Sequence, residues 1–125
     1  MMKVLFAATL CATLYAAPLP SMAADEDGEY WSQRAESCRD MRRIMRSDER
    51  SLVNIRGWIA GYITAYNRRT PDTYNILGTT DFAAVMQSIE NFCKANPLEN
   101  LTTTMERITE DLHAARHRTK RQGGR

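Results

Sequence analysis

The chain has 125 residues, of which 43% are hydrophobic and 26% are charged, and this composition fits one globular domain and excludes a multidomain enzyme. Two Trp, five Tyr and three Phe exclude a disordered chain. The formal charge of +2 provides no global field for nucleic-acid binding, and three Cys are too few for a disulfide-dense mini-protein.

Residues 1–23 are predicted to form a secretory signal peptide. The stretch Val4–Ala17 is apolar and uncharged, two prolines follow it, and Ser21 and Ala23 supply small residues at a cleavage site. The stretch is shorter than the ~20 apolar residues of a membrane span, so we expect cleavage rather than anchoring. The mature protein would then begin at Ala24, be exported to the periplasm and have no stable membrane insertion.

Removal of the leader leaves 102 residues with 16 basic side chains, 15 acidic side chains and two cysteines, Cys38 and Cys93. An even pair of cysteines in an oxidising compartment, without C-x-x-C spacing, predicts one structural disulfide. Closing a loop of about 56 residues should stabilise the domain by about 4 kcal/mol in the chain-entropy model.

The first predicted helix begins near Trp31. Its apolar or small residues recur at steps of four, three, three and four, which is helical spacing: Trp31, Ala35, Cys38, Met41 and Met45. Its other face carries arginines: Arg34, Arg39, Arg42, Arg43 and Arg46. We interpret the arginine run as a solvated face whose side-chain stems shield the core, with an anionic partner surface as the alternative.

Ser47 and Asp48 predict the N-cap of a second helix, which runs to about Asn67. Its apolar stripe consists of Leu52, Ile55, Ile59, Tyr62, Ile63 and Tyr66. A second stripe of smaller residues consists of Val53, Gly57, Gly61 and Ala65. Glycine inside a soluble helix costs about 1 kcal/mol relative to alanine, so two glycines one turn apart predict that another backbone packs closely there.

Residues 68–80 have no periodicity and contain turn formers, which predicts a long loop. Because the segment carries Tyr74, Ile76 and Leu77, we expect it to fold over the core, with a binding surface as the alternative. Thr80 or Asp81 should cap a third helix that ends near Asn96. Its apolar stripe consists of Phe82, Val85, Met86, Ile89, Phe92 and Cys93.

A fourth helix is predicted to start directly after the third. Asn96 would be its N-cap, Pro97 its first residue and Glu99 its third. Its buried face would consist of Leu98, Leu101, Met105, Ile108, Leu112 and Ala115. Residues 116–125 carry five basic residues and no acid, which predicts a frayed, flexible cationic tail.

Four apolar helices and no convincing strand predict a small all-α four-helix bundle, a single domain over residues 24–115 tied by one disulfide. His113 and His117 lie four residues apart, as two zinc ligands would, but Ala114 stands where a zinc protease requires Glu. No third ligand and no catalytic constellation is indicated. We therefore expect no metal site, no cofactor and no enzymatic activity.

The order of several short motifs resembles the HdeA/HdeB family of small periplasmic acid-stress chaperones. The similarity covers residues 37–112, and its motifs are Cys38, the stretch Gly57–Tyr62, Ala65-Tyr66-Asn67, Phe92-Cys93 and Asn96-Pro97-Leu98. The resemblance implies an ATP-independent holdase that is dimeric and inactive near neutral pH. In acid such a protein loosens, exposes apolar surface and holds unfolded periplasmic proteins.

The residues are compatible with that behaviour. Below the ordinary carboxylate pKa values near 4, all acids neutralise and the mature chain carries roughly +18. We predict that the client or dimer surface includes Trp58, Tyr62, Ile63 and Tyr66, covered at neutral pH by a homodimer partner or by the loop around Tyr74. The alternative is a periplasmic immunity or inhibitor protein that binds a secreted toxin.

Overall fold

A computed structural model describes residues 24–34 and 36–123, which contain four α-helices and no extended strand. The described part of the chain divides between Trp31 and Ser32 into two units, residues 24–31 and residues 32–123. The signal peptide predicted for residues 1–23 lies outside the described residues. Among the residues that are described, no helix has the length and apolar character needed to cross a membrane.

In the first unit, residues 24–31 form a turn, so the prediction that a helix begins near Trp31 is wrong. The backbone N–H of Asp25 donates to the carbonyl of Glu29 at 3.0 Å, and Gly28 between them has a φ of 81°. The Asp25 carboxylate accepts from the backbone N–H of Asp27 and of Glu29. Such local side-chain bonds compete with helix formation.

The second unit is an all-α domain with a disulfide, which confirms the predicted fold class. Its helices are α1 (Cys38–Ser47), α2 (Glu49–Arg69), α3 (Phe82–Ala95) and α4 (Leu101–Leu112), and a 3₁₀ turn follows at His113–Ala115. Each helix begins at a side chain that accepts a backbone N–H, and these N-caps are Ser37, Asp48, Asp81 and Asn100.

The start of α4 differs from the prediction. Asn96 is the C-cap of α3, and its side-chain amide donates to the carbonyl of Phe92 at 3.0 Å. Asn100 is the N-cap of α4, and its side chain accepts from the N–H of Thr103. Leu98 therefore lies in the connection with 86% of its surface exposed, rather than in the core.

The core lies where α1 packs against α2 and α3, and where α3 packs against α4. The predicted disulfide between Cys38 and Cys93 is confirmed; it joins the first residue of α1 to the end of α3, and both cysteines are fully buried. Oγ1 of Thr104 lies 3.6 Å from Sγ of Cys38 and 3.9 Å from Sγ of Cys93. The start of α4 thus packs directly on the crosslink.

The loop after α2 folds over the core, as predicted. Ile76 is fully buried, and its backbone N–H donates to the side-chain carbonyl of Asn67 at 2.7 Å. Tyr74, in contrast, remains 46% exposed.

The segment that follows α4 pairs with this loop at Arg116 and His117, the first two residues of the predicted flexible tail. His117 and Asn75 form an antiparallel bridge with N···O distances of 2.9 and 3.0 Å. The Arg116 guanidinium donates to the carbonyl of Asp72 and to Oγ1 of Thr73. These bonds give hydrogen-bond partners to polar groups of the loop, and helical periodicity in the sequence does not predict such partners.

The helix crossing predicted at Gly57 and Gly61 is absent from the described part of the chain. Both glycines are exposed, and a Cβ added at either position would meet nothing within 4 Å. The isoleucines of α2 explain this, because Ile55 and Ile59 face the core and each glycine follows one of them by two residues. A shift of two residues turns a side chain by about 200°, to the opposite face of a helix.

Candidate functional site

Helix α2 places the four predicted surface residues at different depths. Ile63 is only 8% exposed and belongs to the core, so it is not a surface residue in this structure. Trp58, Tyr62 and Tyr66 are half-buried and pack against the core from outside. We call these three residues the aromatic cluster.

The aromatic cluster follows one side of α2. The rings of Trp58 and Tyr62 lie 5.5 Å apart between centroids, tilted by 35°. This offset arrangement is one that aromatic pairs favour. Tyr66 follows Tyr62 one helical turn further on, so the cluster presents an apolar strip with two hydroxyl groups.

A groove of about 400 Å³ separates the cluster from α4. It is lined by Tyr62, Tyr66, Glu106, Thr109, Glu110 and His113. We call it the α2–α4 groove. Two tyrosines of α2 line one side of the groove. On the other side, α4 contributes two carboxylates and the 3₁₀ turn that follows it contributes the imidazole of His113.

A side-chain hydrogen bond crosses the α2–α4 groove. The hydroxyl of Tyr66 lies 3.3 Å from Nδ1 of His113. Thr109 lines the same groove and is buried, and its hydroxyl donates to the carbonyl of Met105 at 2.9 Å. Tyr66 therefore has a polar partner in the turn that follows α4.

The electrostatics of the α2–α4 groove favour a neutral phenol at Tyr62. Burial raises the pKa of Tyr62, the bond to Thr109 opposes this rise, and the charge of Glu106 adds to it. Glu110 forms an ion pair with Arg107 at 2.7 Å, on the exposed face of α4. The groove thus keeps anionic groups at its rim and uncharged groups at its base.

The two histidines have separate environments. His113 contacts Tyr66 in the α2–α4 groove, whereas His117 lies in the bridge to the loop, with a buried Nδ1 that lacks a hydrogen-bond partner among the described residues. Over residues 24–34 and 36–123, no group of three or more His, Cys, Asp or Glu side chains is arranged to hold a metal.

Sequence periodicity missed Thr109 of α4 and His113 of the following turn, which line the α2–α4 groove. Thr109 and His113 carry no apolar signal, and an amphipathic stripe records only apolar positions. Thr102, Thr104 and Thr109 are all buried, and each finds a carbonyl acceptor. One sequence signal could have identified the buried threonines: they lie on the same helix as the buried apolar residues Leu101 and Met105.

The chain matches no known family model, no curated protein and no solved structure. The resemblance to the HdeA/HdeB family therefore stays a prediction based on the order of its motifs. A partly exposed aromatic strip with a polar rim is typical of a protein-binding surface.

Proposed function

We propose that the chain is an exported, ATP-independent holdase that binds unfolding periplasmic proteins in acid, as the resemblance to the HdeA/HdeB family suggests. The observation that carries this proposal is the aromatic cluster. Trp58, Tyr62 and Tyr66 are apolar enough to bind unfolded chains, and they stay partly exposed in a domain tied by a disulfide.

Acid would loosen the contact beside the cluster. Glu106 and Glu110 line the α2–α4 groove opposite the two tyrosines. In acid the protein as a whole loses its negative charge, and the arginine-rich chain repels itself. A polar side-chain bond between Tyr66 and His113 crosses the groove, so this is where separation of α2 from α4 would uncover apolar surface.

The helices themselves would outlast this change. The pKa of Asp48, the N-cap of α2, is lowered because the hydroxyl and the backbone N–H of Ser51 both donate to its carboxylate. Ser37 and Arg43 lower the pKa of Asp40 in the same way. Their stabilising contributions are complete above the ordinary pKa of 3.8 and are lost only as the pH falls through the lower folded values.

The disulfide would limit the extent of opening. It joins α1 to the end of α3, and Thr104 of α4 packs on both sulfurs. The core beside the crosslink would stay together while the α2–α4 groove opens. At neutral pH a second copy of the chain would cover the cluster, which makes the resting form a homodimer.

Light scattering of an acid-sensitive client tests the proposal. The mature protein should suppress aggregation of the client below about pH 4 and should have no effect at pH 7. A hydrophobic dye should bind over the same range while the helical circular dichroism signal persists.

Dye binding without suppression of aggregation would contradict the proposal, because any small bundle can swell in acid. The immunity or inhibitor function would then gain support, since the polar-rimmed α2–α4 groove is already open to a folded partner at neutral pH. Co-purification of one defined protein at pH 7 would be the result expected of an inhibitor.

A further inference from the structure

The outer face of α1 carries four arginines that the proposed function does not use. Arg39, Arg42, Arg43 and Arg46 line a shallow groove of about 390 Å³, together with Ser47 and Pro97. Their spacing of three, one and three residues places all four within an arc of about 100° on the helix. The opposite face of α1 buries Cys38, Met41 and Ile44. We call these four residues the arginine face.

The positive charge of the arginine face is largely unpaired. Asp40 bonds to Arg43 at 3.3 Å, and this pair is exposed to solvent. In the described part of the chain, no ion pair is formed by Arg39, Arg42 or Arg46. Among the described residues, the four guanidinium groups therefore form one ion pair, in a protein whose overall formal charge is only +2.

One member of the arginine face is held in place by the protein. Arg42 is half-buried, and its Nε is buried without a hydrogen-bond partner among the described residues. A guanidinium fixed by its own stem loses little further freedom when it binds an anion. The arginine face is thus partly pre-organised rather than a set of four mobile side chains.

An exposed apolar side chain lies beside the arginines. Pro97 lines the same groove, and the next residue, Leu98, is 86% exposed, the largest exposed fraction among the large hydrophobic residues of the described chain. The backbone turn that carries Leu98 is tied to the start of α1, because the N–H of Cys38 donates to the carbonyl of Glu99 at 2.7 Å. A basic helix face with an adjacent apolar anchor is typical of a surface that binds at a membrane–water interface.

We propose that the arginine face and Leu98 dock the protein onto the surface of an anionic phospholipid bilayer. Guanidinium groups bind phosphate oxygens in a bidentate manner, and Leu98 would enter the boundary between headgroups and acyl chains. An anionic lipid surface uses both features, whereas a free phosphate or an acidic polypeptide in water would use the arginines and leave Leu98 in solvent.

Binding to vesicles of stated composition tests this inference on the folded mature protein at pH 7. The protein should sediment with vesicles that contain phosphatidylglycerol and remain free with pure phosphatidylcholine. A lysine or arginine near an anionic surface contributes about 1 kcal/mol, or about fivefold in partitioning. The double variant Arg39→Gln/Arg46→Gln should therefore lose about 25-fold.

Two further variants separate the arginine face from charge in general. Arg68→Gln/Arg69→Gln removes the same charge from exposed residues at the end of α2 and should retain vesicle binding within about twofold, because those arginines lie outside the proposed surface. Leu98→Ser should weaken binding severalfold without a change in charge.

Several results would overturn the inference. Equal binding to neutral vesicles, or equal losses in the two arginine variants, would show that the arginine face is not a specific lipid-binding surface. Unchanged binding of Leu98→Ser together with full competition by inorganic pyrophosphate or polyglutamate would show a binding site for soluble anions instead. Circular dichroism of each variant verifies that it is folded.

Discussion

The hydroxyl of Tyr66 lies 3.3 Å from Nδ1 of His113 and joins α2 to the turn that follows α4. This bond spans the α2–α4 groove, on which the proposed function depends. The contact across the groove is therefore made by the ends of side chains, and removal of a single polar atom should weaken that contact.

Removal of one phenol oxygen tests this contact. Tyr66→Phe keeps the ring against the core and deletes the bond to His113, so the free energy of unfolding should fall by about 1 kcal/mol at pH 7. Tyr74→Phe is the matched control, because Tyr74 is 46% exposed and lies in the loop rather than in the aromatic cluster. Equal urea midpoints for the two variants would show that the bond to His113 contributes nothing.

The raised pKa of Tyr62 predicts that the folded protein loses stability at high pH. Its folded pKa is raised above the ordinary value of 10.0, mainly by burial, so its contribution is complete below pH 10 and is lost as the pH rises through the folded value. Urea unfolding between pH 8 and about pH 11 should show this decline. In Tyr62→Phe the decline should be smaller, and an identical decline in both proteins would assign it to other groups.

Two glycines predict opposite effects of the same substitution. A Cβ at Gly78 would collide with the backbone carbonyl oxygen of Ala115, and the φ of +56° disfavours any side chain, so Gly78→Ala should destabilise the domain by more than 1 kcal/mol. Gly61 is helical with open space around it, so Gly61→Ala should stabilise by about 1 kcal/mol.

Thermal unfolding distinguishes these two outcomes, because about 1 kcal/mol corresponds to a shift of 4–8 °C in Tm for a domain of this size. A lowered Tm in Gly61→Ala would restore the helix crossing first expected from the sequence. An unchanged Tm in Gly78→Ala would mean that the loop and the segment after α4 separate easily.

The disulfide should be a major source of stability. Cys38 and Cys93 are 55 residues apart in sequence, and closing such a loop stabilises by about 4 kcal/mol in the chain-entropy model. Thiol titration of the unfolded, unreduced mature protein should find no free thiol, and reduction should lower the urea midpoint. One or two free thiols per chain would contradict the pairing.

Sequence patterns succeeded where one local signal dominates. Asp48 and Asp81 were predictable as N-caps because each precedes an apolar stripe with helical spacing. The Cys38–Cys93 pair was predictable because the predicted mature chain has only two cysteines. The all-α class follows from the same periodicity.

Other features depend on tertiary contacts that local patterns do not contain. Asn96 and Asn100 are both asparagines and lie four residues apart, so residue type alone does not distinguish them as N-caps. In the structure Asn100 caps α4, and its backbone pairs with Ser37, a contact that is distant in sequence. The glycine stripe of α2 suggested a packing partner, but the core uses the isoleucine face instead. Thr109 and His113 line the groove, but both are polar and therefore do not appear in an apolar sequence pattern.

The proposed function requires that the aromatic cluster binds unfolded clients in acid. A photoreactive phenylalanine analogue at Tyr62 should crosslink to an acid-unfolded client at about pH 3 and should not do so at pH 7. The same analogue at Tyr74, an exposed aromatic residue outside the cluster, should give little crosslinking at either pH. Crosslinking that is equal at both positions, or that is absent at Tyr62 in acid, would contradict the proposed binding of clients by the aromatic cluster.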